Sequence, residues 1–217
     1  MIEPGALELR SVTIAMRGRP VTLIKDLDVT VAPGSVTTIM GPSGSGKSTL
    51  LAYVGGFMDR SAFVGHGSVI IDGDAVDGKP AEERRLGVLF QEAILFPHLS
   101  VGSNLLFGLP RDPFRSRSER REVAAMALKE AGLEGFMDRD PATLSGGQKA
   151  RVALLRTLLS EPRALLLDEP FGKLDADLRE EFRAFVFAHA AKRQLPVLLV
   201  THDSADAQAA NGPLLQL

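Results

Sequence analysis

Residues 41–49 read Gly-Pro-Ser-Gly-Ser-Gly-Lys-Ser-Thr, and the chemistry open to that run is the holding of phosphate. Gly41, Gly44 and Gly46 let successive backbone N–H groups converge on phosphate oxygens that side chains would obstruct. Gly41, then four residues, then Gly46-Lys47-Ser48 is the nucleotide-binding P-loop spacing. Pro42, Ser43, Ser45 and Thr49 complete the loop and the start of the helix expected after it. Lys47 supplies a point charge for the β- and γ-phosphates, and the Ser48 hydroxyl is a hard oxygen ligand for Mg²⁺. The competing reading, a Gly/Ser-rich turn, requires neither a strand before nor a helix after, and both are predicted here.

Ala164-Leu165-Leu166-Leu167-Asp168-Glu169-Pro170 is an apolar run closing on two carboxylates. In an open α/β sheet the ligand site lies at the carboxyl ends of the strands, which brings both acids to the nucleotide. Neighbouring strand residues point to opposite sides, so the two acids divide the work. Asp168 is the candidate for Mg²⁺, through water, and Glu169 for orienting and deprotonating the attacking water. An N-cap pair without chemistry is the alternative for these acids. His66, His98 and His189 are read as ordinary surface or loop histidines, since no metal-ligand spacing links the histidines.

These groups need a scaffold that alternates strand and helix. Residues 6–16 and 21–31 carry alternating apolar positions, among them Leu27, Val29 and Val31, which predicts half-buried antiparallel strands. Pro33-Gly34 marks a turn. Val36–Met40 is then a buried strand feeding the loop, and Lys47–Phe57 a helix. Further strands are expected at 68–72, Gly87–Phe90, Ala164–Leu167 and Val197–Thr201, with a helix over 176–192 and a short helix and strand to the end. Residues 92–162 are less β-branched, and Val123, Met126, Ala127, Glu130 and Ala131 recur at helical spacing. The expectation is a single α/β domain over 1–217, with a core at about 1–91 and 163–217. Its mostly parallel sheet is covered by helices on both faces. An antiparallel β subdomain lies at the N-terminus, and a helical subdomain is inserted at about 92–162.

Of the 217 residues, 45% are hydrophobic and 24% charged, with a net charge of -2. That is enough for a well-buried domain, and it generates no global positive field toward nucleic acid. Arg111, Arg115, Arg117, Arg120 and Arg121 form a local basic cluster. It reads as a solvated loop and helix face, with phosphate or partner binding as the alternative. The absence of cysteine excludes disulfides, thiolate zinc sites and cysteine nucleophiles. Met1-Ile2-Glu3-Pro4-Gly5 has no basic region followed by an apolar one, as a signal peptide would. No apolar run approaches the roughly 20 residues that span a bilayer. The expectation is a chain soluble by itself that serves a membrane only by docking.

Residues 144–148 read Leu-Ser-Gly-Gly-Gln, followed by Lys149-Ala150-Arg151-Val152. Set between the P-loop and Leu-Leu-Leu-Asp-Glu-Pro, this resembles the ATP-binding subunits of ABC transporters over essentially the whole chain. The resemblance implies roles for further residues. Gln91 matches the Q-loop, which senses Mg²⁺ and the γ-phosphate and touches the membrane subunit. Ser145, Gly146, Gly147 and Gln148 match the signature, which binds the γ-phosphate of ATP held by a second copy. A hydroxyl, bare N–H groups and a new helix N-terminus suit an anion there. Leu174-Asp175 matches the D-loop, which crosses the dimer interface. His202 matches the switch histidine on the γ-phosphate, against the alternative of a satisfied strand-end histidine.

Two positions depart from the family pattern. Met16 stands where an adenine-stacking aromatic is usual, and a thioether packs on a base less specifically. Gly172 replaces the usual Ser of the D-loop, removing a hydroxyl that reaches the opposite P-loop.

Glu169-Pro170-Phe171, Leu178-Arg179 and the run Leu95-Phe96-Pro97-His98-Leu99-Ser100-Val101 with Asn104 resemble importers of small polar solutes. Thiamine, sulfate, molybdate, iron and polyamines are the solutes of such importers, and the thiamine type, together with uncharacterised relatives, resembles this chain most. The resemblance implies ATP and Mg²⁺ as ligands and an ATP-dependent head-to-tail pair of copies. It further implies an integral membrane permease at the cytoplasmic face of the inner membrane, a solute-binding protein acting through it, and no nucleic-acid partner. A soluble ABC-type ATPase acting on nucleic acid or ribosomes is the alternative. Such proteins usually carry a long coiled coil between P-loop and signature, or two ATP domains in one chain. A P-loop small-molecule kinase has no use for the signature or for His202.

Overall fold

The computed structural model describes residues 5–110 and 116–217; Met1–Pro4, with Arg111 and Arg115 of the basic cluster, lie outside the described residues. In chain order the elements are Leu7–Met16 (β1), Thr22–Val31 (β2), Val36–Met40 (β3), Lys47–Gly55 (α1), Phe63–Ile71 (β4), Asp74–Ala75 (β5), Ala81–Arg84 (α2) and Leu86–Leu89 (β6). Val101–Gly108 (α3), Arg117–Glu130 (α4) and Gly146–Leu159 (α5) follow, then Ala164–Asp168 (β7), Ala176–Lys192 (α6), Val197–Val200 (β8), Ser204–Ala210 (α7) and Leu214–Gln216 (β9). The described residues form two compact units. One comprises the residues up to Val88 with Arg163–Glu169 and Arg183–Leu217, the other Leu89–Pro162 with Pro170–Phe182.

In the first unit an antiparallel sheet of order β2-β1-β4-β5 lies beside a sheet of order β6-β7-β8-β3-β9. β1 buries Leu7, Leu9, Val12 and Ile14, a period of two that slips by one residue. A β-bulge absorbs the slip: the register shifts between Leu9 and Val12, and Ser11, at φ 49, donates its N–H to Asp28 Oδ1 at 2.8 Å. β4 starts at Phe63 rather than at 68, because Met16 and Phe63 pair across β1 and β4. Gly65 and Gly67 hid that extension in the sequence. A Cβ at Gly65 would stand 2.5 Å from the Tyr53 ring, so the strand is thinned there to admit the helix side chain.

β3, β7 and β8 pair in parallel and are buried nearly throughout. Sheets covered on both faces read as unbroken apolar runs, as Ala-Leu-Leu-Leu and Val-Leu-Leu-Val do here. One core joins Leu166, Leu198 and Val200 of this sheet to Leu50, Leu51 and Val54 of α1 and to Leu7, Ile14, Val69 and Ile71 of the antiparallel sheet.

In the second unit α3 lies against α5, so close that a Cβ at Gly108 would meet the Arg156 carbonyl oxygen at 2.2 Å. α4 opens with a capping box between Ser116 and Glu119. Its buried stripe is Ala124, Leu128 and, just past the helix, Ala131; of the expected set Val123, Met126, Ala127, Glu130 and Ala131 only Ala131 is buried, and Met126 is 65% exposed. Both stripes satisfy a helical period, and packing alone chose between them. Arg120 departs from the expected solvated face: its guanidinium donates to the carbonyls of Leu106 and Leu109 at 2.8 and 3.2 Å, satisfying the end of α3. Arg121 pairs with Asp138 at 3.3 Å.

Candidate active site

Strand order builds the site. β7, β8 and β3 are neighbours in one parallel sheet, so their carboxyl ends lie side by side. These ends carry, in that order, Asp168 and Glu169, then Thr201 and His202, then the loop from Gly41.

The loop turns into α1 through Gly44 (φ 83) and Gly46 (φ 97), both left-handed. Gly46 has a second constraint, since a Cβ there would lie 2.9 Å from Leu23 Cβ of β2. A Cβ at Gly41 would crowd Ser45 Oγ at 2.9 Å. Gly46 is the N-cap of α1 and offers no side-chain cap, which leaves the first-turn N–H groups without a side-chain acceptor. Those N–H groups and the helix dipole make a ready cradle for phosphate. Lys47 is 6% exposed, and its Nζ donates to the carbonyls of Gly41 and Pro42, each at 2.9 Å. The cation is thus held over the loop by partners that an anion would outcompete. The Ser45 hydroxyl is buried without a hydrogen-bond partner.

The Ser48 hydroxyl donates to Asp168 Oδ1 at 3.0 Å. Burial pushes the Asp168 carboxyl above the usual carboxylate range, while the Ser48 hydrogen bond and the Lys47 charge oppose that shift. Two hard oxygens side by side, on a carboxylate and a hydroxyl, suit a cation that keeps several waters, as Mg²⁺ does. Among the described residues, this site included, no group of three or more His, Cys, Asp or Glu side chains could hold a metal.

Glu169 has left the strand. Its φ is 48, its N–H donates to Val200 O at 2.9 Å, and its Oε1 lies 3.1 Å from His202 Nδ1. The two acids therefore part: one turns to Ser48, the other to His202. A left-handed non-glycine residue is a strained position of the kind that collects at functional sites. Met16 closes β1, half-buried, and its N–H donates to Val21 O at 2.8 Å. That turn leads into Leu23, the residue packed on Gly46.

Gln91 and Ser145–Gln148 belong to the second unit, as does Asp175. Gln91 is exposed, and Glu92 beside it pairs with Lys173. Ser145 is the N-cap of α5: its Oγ accepts from Gln148 N at 3.3 Å, and Gln148 Oε1 accepts from Ser145 N at 3.0 Å. The Gln148 side chain is therefore committed to a capping box, which the Ser-x-x-Gln spacing announces. Gly147 is buried, and a Cβ there would lie 3.3 Å from Leu178 Cδ2. Asp175 Oδ1 accepts from Leu178 N at 3.0 Å and caps the start of α6. Sequence reasoning missed the link from Thr201 to Asp206 and on to Arg183, since these residues share no spacing that would have joined them.

The family model for ABC transporters matches residues 24–172. The chain is 46% identical to an uncharacterized ABC transporter ATP-binding protein, YnjD, of Escherichia coli strain K12, covering 86% of this chain and 85% of that protein. The chain belongs to the ABC transporter family. This ABC subunit binds and hydrolyses ATP, and its architecture is that of the P-loop cassettes. It superposes on the dimeric structure of MJ0796, a bacterial ABC transporter cassette, with TM-score 0.78 and 31% identity, over 97% of this chain and 94% of that one. A post-hydrolysis dimer of the same cassette bound to ADP and Pi gives TM-score 0.76 at 32% identity, over 94% and 90%. The Fe(3+) ions import ATP-binding protein FbpC of Streptomyces coelicolor is 42% identical over 95% of this chain and 57% of its own length. The spermidine/putrescine import ATP-binding protein PotA of Frankia alni is 40% identical over 94% of this chain and 43% of its own. The ABC subunit thus spans about half the length of these two import proteins. Among the described residues no helix is long and apolar enough to cross a membrane.

Proposed function

We propose that this ABC subunit powers a solute importer as a head-to-tail pair of copies with ATP between them. The pair docks on an integral membrane permease at the cytoplasmic face of the inner membrane, and a solute-binding protein delivers the solute. The observation that carries this reading is the gathering of Lys47, Ser48, Asp168, Glu169 and His202 at three adjacent strand ends. That set serves γ-phosphoryl transfer to water. The likeness to import subunits for iron and for polyamines supports a small polar solute.

In this scheme the ATP phosphates lie on the N–H groups of the 41–49 loop and replace the Gly41 and Pro42 carbonyls as partners of Lys47. Met16 packs on adenine. Ser48 and Asp168 would hold Mg²⁺, to which the family resemblance also gives Gln91, and the ion would supply positive charge against the transferring phosphates. Glu169 takes a proton from the attacking water. As the new P–O bond forms, the bond to the bridging oxygen breaks and ADP leaves with its electron pair. His202 holds Glu169 in place and contacts a γ-phosphoryl oxygen. Ser145, Gly146 and Gly147 of the other copy close on the same phosphate, and Asp175 crosses between copies. Nearly complete switching between open and closed pairs needs about 5.5 kcal/mol of differential affinity. Two γ-phosphates with charge-assisted contacts supply interactions of that order.

Glu169→Gln tests the reading. The variant should bind Mg-ATP, fail to turn it over and elute as a dimer on sizing. Elution as monomer only, with hydrolysis near normal, would remove Glu169 as the base. Co-purification with an integral membrane protein tests the permease partnership.

A further inference from the structure

We infer that Asp206, acting through Thr201, is a positioning residue for His202; the inference rests on the assignment of His202 to the γ-phosphate made above. Asp206 is 2% exposed, and no step of the scheme uses it. A carboxylate so buried is unfavourable unless it is paired and hydrogen-bonded. Here its Oδ1 lies 3.0 Å from Arg183 Nη2, and the Arg183 guanidinium also donates to the Ala205 carbonyl at 3.2 Å. Its Oδ2 accepts from the Thr201 hydroxyl at 2.9 Å.

The same Thr201 oxygen accepts from the Asp203 N–H at 3.1 Å. Asp203 Oδ1 in turn accepts from the Ala205 N–H at 2.8 Å and caps α7. Upstream, the Thr201 N–H donates to Ile39 O at 3.2 Å, joining the segment to the strand that carries the phosphate loop. The residues on both sides of His202 are therefore tied to one buried carboxylate, and α6, through Arg183, anchors that carboxylate. His202 thus sits between two residues held by hydrogen bonds. Its ring is largely exposed, and Nδ1 reaches Glu169 at 3.1 Å. An exposed ring on a locked backbone is suited to meeting an arriving phosphate without a search. Stability alone is a poor reason for the arrangement, because buried ion pairs are often replaceable by apolar residues without loss.

The test is a double-mutant cycle on the full chain, read as phosphate release at saturating Mg-ATP. Thr201→Val keeps the shape and deletes the hydroxyl. It should lower kcat about tenfold, in line with the sensitivity of catalysis to sub-ångström misplacement, and leave KM for ATP unchanged. Thr201→Ser should restore the rate. In a His202→Ala background, Thr201→Val should add no further loss, because the group it positions is gone. A loss by the same factor in both backgrounds overturns the proposal, as does an undiminished kcat in Thr201→Val alone. Should Thr201→Val fail to fold by circular dichroism, Thr201→Ala carries the same cycle. His202→Ala with normal turnover would instead overturn the underlying assignment of His202, a result separate from either outcome for Thr201.

Discussion

Ser145 has one task in the structure and a second in the proposed pair of copies, and two substitutions tell them apart. Its hydroxyl caps α5, accepting from Gln148 N at 3.3 Å, and in the proposed pair it also meets the γ-phosphate of the other copy's ATP. Ser145→Ala deletes both. Ser145→Gly deletes the hydroxyl too, but glycine is itself a tolerable cap. Losing a serine cap costs about 1 kcal/mol, and the length of this bond sets the loss at about 0.5–1 kcal/mol for Ala and a few tenths for Gly. In a domain of this size about 1 kcal/mol lowers Tm by roughly 2–4 °C. Removing one donor aimed at developing negative charge lowers turnover by about 10²-fold or more. Both variants should therefore lose about 10²-fold in turnover, while only Ala lowers Tm measurably and neither alters the affinity of a single copy for ATP. Thermal unfolding without nucleotide, titration with a fluorescent ATP analogue and initial rates of phosphate release measure the three quantities. If Ser145→Gly retains near-normal turnover while Ser145→Ala does not, the serine is a helix cap and nothing more.

Three further outcomes follow from particular contacts. Tyr53 is the sole tyrosine in a chain without tryptophan, so near-ultraviolet phenolate absorbance reports one group. Burial first, then Asp77, holds its pKa above the ordinary 10.0. Because the folded value is the higher one, Tyr53's contribution to stability is intact below pH 10.0 and is lost as pH rises through the folded value. Its titration midpoint should lie above 10.0 in the native protein and fall back in denaturant, and a native midpoint at or below that value would contradict the burial. Gly46→Ala forces a left-handed φ of 97 on a side chain 2.9 Å from Leu23 Cβ. It should cost about 2 kcal/mol in urea denaturation and weaken ATP binding; wild-type stability would mean the loop relaxes freely. Asn104 is fully buried and joins Phe96, Leu99, Ser100 and Arg156. Asn104→Ala should cost about 3 kcal/mol and speed proteolysis within residues 94–100, whereas an unchanged cleavage pattern would show that the loop holds without it.

The parts of this protein written in short segments were legible before any coordinates. Residues 41–49 announce a phosphate cradle because glycine spacing, a lysine and a helix start are all local features. The apolar runs Ala164–Leu167 and Val197–Thr201 declare buried parallel strands for the same reason, and Ser145-Gly146-Gly147 announces a new helix N-terminus. Which residues meet was decided elsewhere. That β7, β8 and β3 lie side by side, so that Ser48 touches Asp168 and His202 touches Glu169, depends on pairing between strands far apart in the chain. The left-handed turn of Glu169, the extension of β4 to Phe63 and the exposure of Met126 were likewise set by neighbours. Thr201, Asp206 and Arg183 show the division most clearly. No local pattern links them, and only packing brings a helix, a strand end and a short helix to one buried carboxylate. Local pattern states what a segment is able to do, because backbone periodicity and side-chain chemistry act over a few residues. Tertiary structure alone determines what that segment faces, because contacts between distant segments form only when the whole core excludes water.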